Sequence, residues 1–502
     1  MDARETWASR VGFILAAVGS AVGLGNVWRF PYVTAENGGA MFLVVYLVAA
    51  VAIGLPAMLA EFAVGRRARR NVIGAFEAIG YPAWRVIGLL GVATGFWILS
   101  YYSVVGGWVL RYIAGSATGA YFGDASGYFG AILTGPEAVA FHVLFMAITV
   151  GIVAFGIERG IEWSAKLMVP SIVVLMVGLA AWGSTLGGAS AGYDFYLSPD
   201  FGTLIENIGT VAPAAVGQAL FSLSLGMGVM ITYASYLGSD DNLGYDGLSI
   251  ALLNTVVGVL AGLVVFPLLA AQGVDYGEAG AGAIFISMAT VFEQVPAGRL
   301  VGILFFAIVA LAALSSAISL LEVVAAYFVD NTEHSRARVT TAIGAVVFLL
   351  GIPSAWSRDT LGVFDTVASD VLLPLGTALV VVFVGWVFAD DALDGVDELL
   401  ARREVRLIDL VQHVAEFART LGRADLGVAL AGHDGALLAA PHQPRGDAGQ
   451  RRTLDLRPLA EFDGGGRLVL TVVVVAHTAR LTRTPISAFG LACAPSPAEC
   501  GP

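Results

Sequence analysis

The sequence predicts an all-α polytopic membrane protein, and three observations carry the prediction. Hydrophobic residues make up 57% of the 502 positions and charged residues only 13%, about half the charge of a soluble domain. Mean hydropathy is +0.79. Apolar stretches of membrane-crossing length recur along the first 389 residues. In hydrocarbon every backbone amide needs an internal partner, so these stretches must be helices. Two of them also share an unusual glycine pattern at mid-membrane depth.

Ten spans are expected, over residues 11–35, 40–65, 84–114, 137–156, 163–183, 208–236, 247–271, 298–330, 338–352 and 361–389. Arg4 and Arg10 precede the first. Arg66, Arg67, Arg69 and Arg70 follow the second, and Arg85 opens the third. Arg159 and Lys166 lie at the fourth-to-fifth connection, and Arg336 and Arg338 follow the eighth. The other side carries chiefly Arg299 and Arg358. Cationic loops face the cytoplasm, so both the N-terminus and the segment after span 10 are expected there, in a cell-membrane protein.

Span 1 contains S-A-V-G-L-G-N at Ser20–Asn26, and span 6 contains S-L-S-L-G-M-G at Ser222–Gly228. Glycine disfavours continuous helix. Either segment alone reads as close helix packing through small residues. Two matched segments, each opening a block of five spans, read differently. Blocks 1–183 and 208–389 have opposite orientation, and paired broken helices in corresponding positions mark a transporter binding site.

Net charge is −12, which argues against nucleic-acid binding. The two cysteines, Cys493 and Cys500, lie at the extreme end, so no disulfide framework is expected. No cleavable signal peptide is expected at Met1–Trp7. His413, His433, His442 and His477 lack metal-ligand spacing. The glycines of Ser20–Asn26 lie in an apolar helix rather than a strand–turn–helix, which excludes a dinucleotide-binding enzyme.

The run W-A-S-R-V-G-F-I-L-A-A-V-G-S-A-V-G-L-G-N-V-W-R-F-P-Y, Trp7 to Tyr32, resembles the first span of the neurotransmitter:sodium symporter family. N-G-G-A-M-F at Asn37–Phe42, Tyr101–Tyr102, the span 6 run ending at Tyr236, and A-L-S-S at Ala313–Ser316 fit the same pattern. The resemblance covers residues 1 to 389 and is strongest for prokaryotic amino-acid members. It implies a five-plus-five inverted-repeat symporter fold with discontinuous spans 1 and 6. The implied activity is sodium-driven import of an amino acid, not enzymatic catalysis.

A zwitterion needs donors at its carboxylate and acceptors at its ammonium, and broken helices supply both. The resemblance assigns the carboxylate to Leu24, Gly25 and Tyr102, and the ammonium to Ala21, Phe221, Ser222 and Ser224. The side-chain pocket carries over to Ile98, Tyr102, Phe221, Ser224, Met227, Ser316 and Leu320. It is apolar and lacks an acid, so a neutral hydrophobic amino acid is expected. Two Na⁺ sites are implied. The first uses Ala21, Asn26, Ser222, Asn254 and the substrate carboxylate. The second uses Gly19, Val22, Ala312, Ser315 and Ser316. Chloride-dependent relatives carry a serine one turn after the sodium-binding asparagine, and chloride-independent ones an acid. Gly258 offers neither, and with Tyr46, Gln218, Ser222 and Asn254 as partial matches chloride stays open.

Arg29 and Asp365 are expected to pair as an extracellular gate. Arg4, Asp330 and Tyr236 are expected to form an intracellular one, with Trp7 and Ser235 beside it. Glu61 and Glu322 are expected to accept amides exposed by the breaks. Gly160 and Pro170 match a spacing that permits inner unwinding of span 5 in some relatives.

The transporter core is expected at 1–389 and a cytoplasmic tail at 390–502. Asp394–Leu421 reads as an amphipathic helix, Gly427–Ala440 as strand, turn, strand, and Leu468–Ala476 as a β-branched strand; a small α+β module and a frameshifted or truncated gene end fit equally. A membrane amino-acid sensor, inactive in transport and signalling through this tail, is the alternative function. The partners implied are a small amino acid and the lipid bilayer, with monomer and homodimer both open.

Overall fold

In a computed structural model of the chain, residues 6–238, 242–273, 281–388, 452–462 and 468–478 are described. Contacts divide the chain into two units, Met1–Ala418 and Arg419–Pro502.

Among the described residues of the first unit, eight helices are long and apolar enough to cross a membrane, and nine if a bent pair counts as one span. The bent pair is span 1, Arg10–Ala21 and Gly25–Glu36, which turns by 46° at its interruption. The continuous spans are Ala40–Ala68, Pro82–Thr118, Pro136–Ala154, Ile157–Gly183, Leu243–Ala271, Gly298–Asn331, Arg336–Trp356 and Arg358–Val387, numbered 2–5 and 7–10. The expected tenth, span 6, is Phe201–Ser222 followed by Val229–Ala234. It falls outside the apolar set because Glu206, Asn207 and Gln218 lower the hydropathy of its long piece.

Side-chain caps set several helix starts. Ser9 accepts from the Gly12 amide, Asn71 from Gly74, Asp200 from Gly202 and Thr203, and Asn242 from Tyr245. Short helices at Val72–Ala78, Ala125–Ile132 and Ala189–Leu197 fill connections that sequence patterning leaves as loops.

Span 8 is the most enclosed, with 78% of its apolar window buried, whereas span 4 has 33% and lies at the periphery. Spans 3 and 8 pack along each other, and span 1 packs against spans 5, 7 and 8. The two interruptions therefore sit among buried helices rather than against lipid, the one place where irregular backbone is tolerated at membrane depth.

The span 6 interruption needs left-handed backbone at three positions: Ser224 (φ 54°), Gly226 (φ 80°) and Gly228 (φ 75°). A Cβ on Gly226 would also collide with the Leu373 carbonyl and the Thr377 hydroxyl of span 10. Glu61 of span 2 accepts the Gly226 amide at 2.8 Å, so the freed donor is paired. Gly226→Ala is expected to destabilise the fold by more than the ~1–2 kcal/mol of left-handed strain, because the collision adds to it. A thermal melt in detergent indistinguishable from the unmodified chain would refute this.

In the second unit, strands β1 (Arg452–Phe462) and β2 (Leu468–Thr478) pair antiparallel, with Arg452 opposite Thr478 and Phe462 opposite Leu468. The β-branched run expected at Leu468–Ala476 lies in β2. Its partner β1 was not among the elements expected from the sequence. The helix expected at Asp394–Leu421 and the hairpin at Gly427–Ala440 lie outside the described residues.

Candidate functional site

The two interruptions touch. Gly25 lies against Phe221, where an added Cβ would stand 2.8 Å from the ring, and Ser224 Oγ donates to the Ser20 carbonyl at 2.9 Å. Between them and spans 3 and 8 lies a small cavity. Of the expected substrate residues, Ala21, Gly25, Ile98, Tyr102, Phe221, Ser224, Met227, Ser316 and Leu320 line it. Leu24 and Ser222 are not part of the lining but stand beside it: the Leu24 amide donates to the Tyr102 hydroxyl at 3.1 Å, and Ser222 directly follows Phe221. Ser20, Gly23 and Ser319 also line the cavity and were not expected from sequence. The Ser20 and Ser319 hydroxyls make the lining more polar than the anticipated apolar pocket. Ser319 stands one turn from Ser316, so helical spacing was the available signal.

Asn26, Ser222 and Asn254 are fully buried and meet behind the break. Asn26 Nδ2 donates to Asn254 Oδ1 at 2.7 Å and to the Asn254 carbonyl at 3.0 Å. Asn254 Nδ2 donates to Ser222 Oγ at 3.3 Å. Asn254 Oδ1 also lies 3.2 Å from the Ala21 carbonyl oxygen and 3.0 Å from the Ser222 carbonyl oxygen. Such close oxygens repel unless the amide rotates to present nitrogen or a cation lies among them. Asn26 Oδ1 is buried with no partner, an expensive state for a polar atom. The orphaned oxygen and the all-oxygen donors suit a hard monovalent cation.

A second oxygen cluster joins spans 1 and 8. Ser315 Oγ donates to the Ala312 carbonyl at 2.9 Å and to the Val22 carbonyl at 3.3 Å. A Cβ on Gly19 would stand 3.4 Å from Ser315 Cβ, which places Gly19 in the same cluster. Ser316 Oγ turns instead to the Ser20 carbonyl at 2.8 Å.

At the end of the bundle away from the N-terminus, the expected direct pairing of Arg29 with Asp365 is not formed. Arg29 donates to Gln218 Oε1 at 2.6 Å and lies 5.1 Å over the Phe221 ring, whereas Asp365 accepts the Tyr101 hydroxyl at 3.0 Å. Each charge has a nearer partner. Gln218 also donates to the Gly25 carbonyl at 2.8 Å, so it links Arg29 to the span 1 break. Gly258 faces the first oxygen cluster, where an added Cβ would stand 3.8 Å from the Tyr46 hydroxyl; Tyr46 in turn meets Ser222 Oγ at 3.1 Å.

At the N-terminal end, Arg4 lies outside the described residues. Asp330 accepts the Asn71 backbone and side-chain amides, both at 3.0 Å. The Tyr236 hydroxyl donates to Glu322 at 2.7 Å, and Arg336 pairs with the same carboxylate at 2.6 Å. Glu322 thus serves a tyrosine and an arginine. Trp7 donates its ring N–H to the Tyr233 carbonyl at 3.0 Å, while Ser235 turns to the Thr232 carbonyl. Glu162 holds the Ala8 amide at 2.7 Å and the Ser9 hydroxyl at 2.8 Å. It stands in a wide turn, Ile157–Glu162, that opens span 5, and span 5 continues as helix through Pro170.

Two interrupted helices around a buried cavity, within two blocks of five spans, define a membrane transporter of the inverted-repeat class. The chain matches the Sodium:neurotransmitter symporter family over residues 4–122 and 134–418, and it belongs to that family. It is therefore a sodium-dependent transporter and not an enzyme. It is 38% identical over 396 residues to the uncharacterised sodium-dependent transporter YhdH of Bacillus subtilis, spanning 75% of this chain and 87% of that one. It is 30% identical over 301 residues to the sodium-dependent neutral amino acid transporter B(0)AT2 of Bos taurus, spanning 53% of this chain and 41% of that one. It superposes on the crystal structure of MhsT in complex with L-phenylalanine with a TM-score of 0.75 and 41% identity, over 84% of this chain and 98% of that one.

Proposed function

We propose that this chain imports a neutral hydrophobic amino acid with Na⁺ by alternating access. The observation that carries the reading is the buried, unpartnered Asn26 Oδ1 beside Asn254, next to a cavity between two broken helices. The Tyr102 hydroxyl, which accepts the Leu24 amide, and the backbone at Leu24 and Gly25 take the substrate carboxylate. The carbonyls freed around Ala21, Phe221, Ser222 and Ser224 take the ammonium. Ile98, Met227 and Leu320 enclose an apolar side chain, and Met227 can repack around different shapes.

Ala21, Asn26, Ser222 and Asn254 would hold one Na⁺, and Gly19, Val22, Ala312, Ser315 and Ser316 a second. The first shares the substrate carboxylate, so ion and substrate strengthen each other's binding. The similarity to MhsT, solved in complex with L-phenylalanine, and to a sodium-dependent neutral amino acid transporter supports the substrate class. The arginine distribution supports a cytoplasmic N-terminus and a cytoplasmic tail after residue 389. On this orientation Arg29, Gln218, Tyr101 and Asp365 form the outer gate, and Asp330, Tyr236 and Glu322 the inner one.

Purified chain in vesicles tests the reading. Neutral amino acids are expected to accumulate against their gradient only when Na⁺ is higher outside. Binding without accumulation would favour the sensor alternative, and no sodium-dependent binding would overturn both.

A further inference from the structure

Three hydroxyls gather at one end of the cavity. Ser20, Ser224 and Ser319 are all buried, from different helices. Ser20 Oγ lies 2.7 Å from Ser319 Oγ and 3.3 Å from Ser224 Oγ. Two of their protons go to backbone: Ser224 Oγ donates to the Ser20 carbonyl at 2.9 Å, and Ser319 Oγ to the Ser316 carbonyl at 2.8 Å. Each hydroxyl has one proton and two lone pairs. Ser20 Oγ donates to Ser224 Oγ at 3.3 Å, and Ser319 Oγ, 2.7 Å away, shares a proton with it. Each of the three protons already has an acceptor, and Ser319 also bonds Tyr233, so the spare lone pairs lie chiefly on Ser20.

The place of the group matters as much as its polarity. Ser20 precedes the span 1 break and Gly25 follows it, so the hydroxyls and the carboxylate anchor lie on opposite sides of the interruption. Ser319 lies about 4.5 Å along span 8 from Ser316 by helical rise. Ser224 is shared with the ammonium, whereas Ser20 and Ser319 lie beyond it.

We infer that the Ser20–Ser319 pair selects substrates whose side chain ends in an N–H or O–H donor, such as an indole or a phenol, over equally bulky chains without one. This rests on the cavity being the amino-acid site. A donor finds a waiting lone pair there, whereas an apolar tip of the same shape leaves that acceptor buried and unanswered.

The test compares L-tryptophan with 3-benzothienyl-L-alanine, in which sulfur replaces the ring N–H with little change of shape. Both are titrated onto the purified full chain in sodium. Tryptophan is expected to bind about five- to tenfold more tightly, the scale of one net hydrogen bond. Ser20→Ala and Ser319→Ala should each bring that ratio towards one, and Ser319→Thr, which keeps a hydroxyl, should preserve it. Equal affinities in the unmodified chain overturn the inference without any variant having to fold. A preference that survives both alanine variants overturns it too. If none of the twenty amino acids binds in sodium, the amino-acid reading fails and takes the inference with it.

Discussion

Asn26→Ala raises the sodium concentration needed for half-maximal uptake by about ten- to a hundredfold, the scale of a polar contact to a charged group. Asn26 sits at the first residue pair beyond the span 1 break, and its amide does two things. Its nitrogen bonds the Asn254 side chain and carbonyl, which fixes the ring of oxygens. Its oxygen has no partner within the protein. Alanine removes both the fixing bond and the orphaned ligand. Substrate affinity should fall with it at moderate sodium and recover as sodium is raised, because the two sites share a carboxylate. A sodium titration of uptake decides the matter: an unchanged midpoint refutes the assignment of this cluster to the ion.

Tyr102→Phe lowers amino-acid affinity by about ten- to a hundredfold through loss of a charge-assisted hydrogen bond. The same change strips the Leu24 amide of its 3.1 Å partner, so a buried donor is left unpaired at about 1–3 kcal/mol. Affinity and stability should fall together. Methyl esters of the substrate separate the two effects. They lack the carboxylate charge, so they should bind the unmodified chain and the variant with nearly equal weakness, while the melting temperature still drops. An ester that discriminates between the two proteins as strongly as the free acid would show that the hydroxyl does not meet the carboxylate.

Much of this was legible in the sequence because it is written locally. Span length, loop arginines and the paired glycine runs at Ser20–Asn26 and Ser222–Gly228 each occupy a few neighbouring positions. They gave the helical class and the two breaks, while the family resemblance gave most of the cavity lining. Hydropathy alone would have lost span 6, whose Glu206, Asn207 and Gln218 conceal it; the glycine run recovered it. Partners distant along the chain were harder. Arg29 was matched to Asp365 by family pattern, yet it bonds Gln218, 189 residues away. Glu162 carried no signal that it would clasp Ala8 and Ser9. The serines at 20 and 319 were ordinary helix residues until 299 positions closed to 2.7 Å.

By itself the sequence determined that the chain crosses the membrane repeatedly, that its helices break twice at matched depths, and that the breaks carry groups suited to a zwitterion and a cation. Hydrophobic periodicity and glycine's conformational cost act on neighbouring residues, so they can be read along a string. Only the tertiary structure decided which charge meets which partner, which hydroxyls share protons, and which oxygen is left bare. Those outcomes depend on distances between segments far apart in the chain, where a few tenths of an ångström separate a hydrogen bond from none.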